Sequence, residues 1–487
     1  MTERELTVGA DAAPALLDAL LDQAAACPLE RAQARDLVGE LAAQILQGEV
    51  VVNRDLAAAL DARIADLDQL LTDQVNAILH HPRFQALEAS WRGLQQLVAR
   101  SETGPLLRIK LLNVTKAELA REFQAAPDFD QSALFKAVYE EEYGTFGGEP
   151  YAALLGDLEF SRSPEDFKLL EELSHVAAAA HAPFIAAAAP GLFGLDSYQD
   201  LGRPRNLASL FETAEYAKWR AFRASEDARY VGLVLPRTLG RLPYGPDTLP
   251  VEAFDFQEEV DGGDHASYLW TNAVFAYGAR LTQAFARHGW LAAIRGAEAG
   301  GLVEDLPAHS FRTFGGDVAL KCPTEVAITD RQEKLLADLG FIALVNCKHT
   351  SYAAFFSGQS VQRPRSYESE AANANARLAT QLPYIFAVSR IAHYLKAIMR
   401  DKVGSFGSRQ AVQDHLNAWL AQYVLLDDSA SNEAKSRFPL RAAHVEVAEA
   451  PGRPGVYRAA AFLRPHFQLD ELTVSLRLVA DLPGPSR

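Results

Sequence analysis

The chain has 487 residues, 49% of them hydrophobic and 23% charged, and carries a formal net charge of −16. That length is roughly three typical domains and that composition is ordinary for a folded soluble protein, so a single small domain and wholesale disorder are both excluded. The excess of 63 acidic over 47 basic residues argues against an electrostatic grip on nucleic acid or on an anionic membrane surface.

Residues 1–55 form the first expected region, an Ala-rich arm interrupted by Pro14, Pro28 and Gly48. Its two amphipathic pieces, ALLDALLDQA and RDLVGELAAQIL, are too short to be stable helices alone, so the arm needs a surface to lie on. No basic stretch followed by an apolar core and a small-residue cleavage site opens the chain, and no apolar run is long enough to cross a bilayer. Cys27, Cys322 and Cys347 are widely spaced, which suits a reducing compartment. The expected location is the cytoplasm.

From Leu56 the apolar residues Leu60, Ile64, Leu67, Leu71, Val75 and Ile78 recur at steps of three and four. They predict one stripe along a helix of about 35 Å, capped by Asn53 and stopped near Pro82. A second helix is expected over FQALEASWRGLQQLV. Beyond Gly104 short apolar runs of strand length (RIKLLNV, YAALLGDLEF, PFIAAAA, RYVGLVLP) alternate with helical patterns such as SPEDFKLLEELSHVAAAA, where Ser163 fits an N-cap and Pro164 the first turn. This alternation predicts an α/β core. A helix beginning at Asp330 should lead into a β-hairpin of FIALVNCK and YAAFFS, with His349 in the turn.

Residues 56–365 are therefore expected as one domain and 366–487 as a second, built of long helices followed by strands. The helical pattern from Ala372 to Lys402 must end or kink at Pro383. Another helix should follow Ser408 with Val412, Leu416, Trp419 and Tyr423 on one face. The period then changes to that of strands in HVEVAEA, GVYRAAAFLRPHF and ELTVSLRLV. These strands, in which Arg441, Arg458, Arg464 and Arg477 alternate with apolar residues, could close as an ordinary sheet or present edges for another chain.

Candidate chemistry is sparse. GTFGGEP lacks the GK[ST] ending of a phosphate loop, so Gly144, Gly147 and Gly148 fit a turn. Ser357 and Ser360 lack the flanking glycines of a nucleophile elbow. Adjacent His80 and His81 fit a helix end better than a metal site, and Glu172 with His175 is a lone Glu-x-x-His where a carboxylate-bridged centre needs two. The best catalytic candidate is Cys347 beside Lys348 and His349, since nearby cations lower a thiol's pKa. Against it, strand alternation and the usual burial of Cys favour a core residue. No cofactor or metal is expected.

Residues 363–487 hold 16 basic and 12 acidic residues, a net of +4, which leaves −20 for residues 1–362. A chain acidic in front and basic behind could meet copies of itself or a partner through complementary faces, or both could be solvated surface.

One stretch is more specific than these patterns. DLGFIALVNCKHTSYAAFFSGQSVQ from Asp338 and ANARLATQLPYIFAVSRIAHYLKAIMRDKVGSF further on resemble the large subunit of the type VI secretion contractile sheath, the TssC/VipB family. HHPRFQALEASWRGL, EYGTFGGEP, HAPFIAAAAPGLFGLDSY, FRASEDARYVGLVLPRTLGRLPYG and PLRAAHVEV carry the same likeness in the same order. The resemblance implies a mixed α/β sheath fold with an N-terminal helical arm, a central α/β core and C-terminal strands in an inter-subunit sheet. It implies no enzymatic activity. Implied partners are the small sheath subunit of TssB/VipA type, further copies of the chain, the inner tube protein, the baseplate and a ClpV-type unfoldase.

Mapped onto this sequence, the resemblance marks Leu16, Leu17, Leu20 and Leu21 in the arm as strand-exchange residues. In the C-terminal strands it marks Arg441, His444, Val445, Val447, Arg458, Arg464, Val474 and Leu476. Alternatives are the sheath of a phage-like contractile injection particle and a thiol-dependent enzyme centred on Cys347.

Overall fold

The computed structural model of the protein describes residues 56–466 apart from 204–205, 314, 403–407, 428 and 450–456, together with 35–36 and 39–40. The arm residues Leu16, Leu17, Leu20 and Leu21, the expected cap Asn53, and the strand ELTVSLRLV with Val474 and Leu476 lie outside the described residues. Two compact units are present, one containing Leu79 and the residues before it with Tyr244–Glu259, the other His80–Pro243 with Val260 onward.

In the first unit, α1 (Leu56–Leu79) runs for 24 residues and ends ahead of Pro82, where the sequence predicts a stop. The Asn76 carboxamide oxygen accepts the Glu259 amide at 3.1 Å, and the Phe256 ring makes tilted contacts with Tyr244 and Phe254.

The second unit is organised by a six-stranded sheet. Its strands are β1 (Leu154–Phe160), β2 (Phe184–Ala188), β3 (Val231–Leu235), β9 (Ile342–Asn346), β10 (Ala353–Phe355) and β6 (Leu302–Val303), side by side in that order. The first four are parallel and β10 is antiparallel to both neighbours. Short pairs β4 (Thr238–Leu239) with β5 (Trp270–Thr271), and β7 (Ser310–Arg312) with β8 (Val318–Leu320), lie outside it.

Period-two geometry explains why β2 is apolar throughout. Phe184, Ala186 and Ala188 join the core on one face of the sheet, and Ile185 and Ala187 join the core on the other. A parallel strand covered on both faces needs a continuous apolar run. The first face is covered by α3 (Lys116–Ala125), α4 (Pro164–Ala179), α6 (Ala217–Ala224, after the short α5, Leu207–Phe211) and α8 (Asp330–Asp338). Ser163 caps α4 by accepting the Glu165 amide. Trp219 on α6 is fully buried and lies nearly parallel to Phe341, 5.9 Å away.

The second face is covered by α7 (Ala273–His288), against which α2 (Pro82–Ala99) lies. Gly93 allows that approach, since a Cβ there would sit 2.2 Å from the Phe275 ring. The run RIKLLNV is not a strand. Among the described residues no neighbouring strand offers it a ladder; Arg108 is tied to Glu149 at 2.6 Å and Lys110 to Glu142, and β1 begins the sheet in its place.

A third core follows. The pattern expected to break at Pro383 divides into α9 (Glu370–Leu378) and α10 (Leu382–Lys402), with Pro383 in the first turn of α10. Then come α11 (Arg409–Ala421), capped by Ser408, and α12 (Asn432–Arg437). The last described elements are β11 (Leu440–Glu449) and β12 (Tyr457–Pro465), an antiparallel pair. Ile391, Leu395, Leu416, Leu420, Leu440, Val445 and Val447 are buried together here.

Candidate assembly surface

Among the described residues β11 and β12 form a two-stranded sheet of their own. Alternation divides its faces. Val445 (1% exposed) and Val447 (3%) point into the third core, while His444 and Phe462, register partners, stack on the opposite face with ring centroids 4.5 Å apart. Phe462 remains half exposed, and Arg458 and Arg464 lie on that outward face. Six of the residues expected to act in strand exchange thus share one hairpin. Arg441 is partly buried, His444, Arg458 and Arg464 are exposed, and Val445 and Val447 serve the chain's own core.

The edge of β11 that faces away from β12 meets α11. The Asn417 carboxamide donates to the Val445 carbonyl at 2.9 Å and accepts the Val445 amide at 2.8 Å. One turn earlier Gln413 accepts the Val447 amide at 3.0 Å. A primary amide has a donor and an acceptor in the same plane, as a peptide group does. Nothing in the sequence singles out these two residues, which read as ordinary polar positions on an amphipathic helix.

Other apolar surface is left uncovered. On α1, Leu60, Ile64, Leu67, Leu71 and Ile78 are 38–56% exposed, while Thr72 and Asn76 are buried. On α2, Leu87, Trp91 and Val98 are exposed, and in the segment preceding α3 so are Leu106, Leu111 and Leu112.

The candidate catalytic residues do not converge. His81 is the N-cap of α2 and accepts the Arg83 amide. His175 contacts Asp227 at 2.8 Å. Gly147 has φ +82°, a turn conformation. Cys347 was expected in the core; it is exposed, because β9 ends at Asn346 and the strand alternation stops one residue short of it. His349 beside it has φ 62° in the turn to β10. Among the described residues no group of three His, Cys, Asp or Glu could hold a metal ion, and no helix is long and apolar enough to cross a membrane.

Two family models match the sequence: the EvpB/VC_A0108 tail sheath N-terminal domain over residues 61–362 and the EvpB/VC_A0108 tail sheath gpW/gp25-like domain over residues 371–482. The type VI secretion system sheath protein TssC1 of Pseudomonas aeruginosa is 49% identical over 450 residues, covering 92% of this chain and 90% of that protein. Among solved structures, the anti-feeding prophage baseplate aligns with a TM-score of 0.37 at 10% identity, over 77% of this chain and 83% of the other. The contracted helical sheath of that prophage aligns with a TM-score of 0.28 at 13% identity, over 65% and 75%.

Proposed function

The chain belongs to the EvpB/VipB tail sheath family of type VI secretion, and from that premise we propose how it works as a structural subunit of the contractile sheath. It pairs with a small sheath subunit of the TssB/VipA type, and the pairs polymerise in the cytoplasm from a baseplate into a helical tube around an inner tube. Contacts of this head-to-tail kind do not close into a ring and so propagate as an open helix. Contraction is a rigid-body rearrangement of the interfaces that drives the inner tube forward, and a ClpV-type unfoldase recycles the spent sheath. Residues 366–487 act as the domain through which neighbours are linked, with the arm before residue 56 as its counterpart in strand exchange.

The observation that carries this reading is the sequence identity to TssC1 along nine-tenths of the chain. The apolar stripe left open on α1 supports the small-subunit pairing, since contiguous exposed apolar surface marks interaction sites. Co-expression of the full chain with a small sheath subunit, followed by electron microscopy, is expected to give tubules; a complex that stays monodisperse under all conditions overturns the proposal. Removal of residues 1–30 is expected to abolish the tubules and leave the heterodimer intact.

A further inference from the structure

We propose that the cavity between α7, residues 293–300 and α12 binds the phosphate group of a small molecule, with Arg280 as the residue that meets it. This goes beyond the sheath reading and does not depend on it.

The cavity measures about 390 Å³, within the range of sites that hold small molecules. Helical spacing builds one wall. Arg280, Ala284, Arg287 and His288 stand at i, i+4, i+7 and i+8 on α7 and so share a face. Small side chains leave the room: Ala284 on that face, and Ala293, Ala299 and Gly300 opposite the helices.

Arg280 is only 7% exposed. Its Nη1 donates to the Leu302 carbonyl, its Nε is buried with no hydrogen-bond partner, and among the described residues no carboxylate pairs with it. A buried guanidinium in this state carries the cost of desolvation without the compensation of an anion. Burial, with Arg100 adding to it, pushes its pKa down to about 10, so it stays charged at neutral pH. The His288 Nδ1 is a second buried atom without a partner. Arg287 and Arg437 add positive charge to the lining. Of the two glutamates there, Glu433 is already paired with Arg437 at 3.1 Å and Glu298 is exposed. A phosphate offers several acceptor oxygens at once, which suits guanidinium donors supplied by two helices.

A second cavity, of about 340 Å³, also contains arginines. There Arg223 donates to the Val361 carbonyl at 2.8 Å, and Arg220 to those of Phe211 and Thr213 at 2.7 and 2.6 Å. The backbone satisfies those cations, whereas Arg280 keeps a donor to give.

Calorimetric titration of the full chain with inorganic phosphate, glucose 6-phosphate and succinate at matched ionic strength tests the assignment. Both phosphates are expected to bind and to raise the melting temperature with concentration, and succinate to do neither. Tighter binding of glucose 6-phosphate assigns the site to a phosphate ester, and tighter binding of inorganic phosphate assigns it to the free ion. Arg280→Met is expected to weaken phosphate binding about tenfold or more. Ala299→Phe, which fills the cavity and leaves Arg280 in place, is expected to abolish binding and serves if Arg280→Met does not fold. No response to either phosphate, an equal response to succinate, or unchanged binding by a folded variant overturns the proposal, and none of these results bears on sheath assembly.

Discussion

Helices α1 and α4 carry the same kind of apolar spacing and end in opposite surroundings. On α4 the residues Phe167, Leu170, Leu173 and Ala177 are buried against the sheet. On α1 the equivalent stripe is exposed, and it is the polar Thr72 and Asn76 that are buried. Periodicity states that a helix has an apolar side; it does not say whether the chain itself supplies the cover. On α1 no cover is present among the described residues, and the proposal above assigns that side to the small subunit.

The difference can be broken by perturbing each side in turn. Trp219→Ala empties a site packed by Phe167, Phe222 and Phe341, and should cost about 3–5 kcal/mol, seen as loss of soluble chain or a large drop in denaturation midpoint. Acid acts next. Burial pushes His393 down to about 4, below the ordinary histidine value of about 6.5. The unfolded chain therefore binds the proton first. The stability contributed by neutral His393 is complete above pH ~6.5 and is lost as pH falls toward ~4, up to about 3 kcal/mol. His393→Gln should flatten that dependence in denaturation series from pH 7 to 4.

Gly93→Ala drives a methyl group into the Phe275 ring and should cost about 1–3 kcal/mol by overpacking, measured by chemical denaturation. The smallest effect on stability is expected on α1. Ile64→Glu and Leu71→Glu alter residues 56% and 48% exposed, so the melting temperature should move by the equivalent of about 0.5 kcal/mol or less. Pull-down of the small sheath subunit should nevertheless be lost. Normal capture by these variants would show that the stripe has no such partner.

Much of the fold was legible because local chemistry and packing agree. Ser163 with Pro164, Ser408, and the break at Pro383 are decided within a few residues, and the apolar runs of β2 and β3 suffice for strands covered on both faces. RIKLLNV failed for the converse reason: alternation makes a segment fit to be a strand, but a ladder needs a neighbour. Cys347 was misplaced by one residue of strand length. On the hairpin, the sequence located the residues and their alternating faces, whereas the role of Asn417 and Gln413 depends on the approach of a helix 28 and 34 positions away in the chain. Strand exchange itself is a proposal that rests on the family.

The strand order has a consequence for biosynthesis. β9 pairs with β3, yet Leu235 and Ile342 are about a hundred residues apart. At the ~5–20 residues per second of translation, β3 leaves the ribosome ~5–20 s before its neighbour. During that interval three completed parallel strands expose a raw flank of Val231–Leu235 to whatever nascent chain lies nearby. The long separation of β3 from its partner thus leaves a strand edge unpaired for the whole of that interval of synthesis.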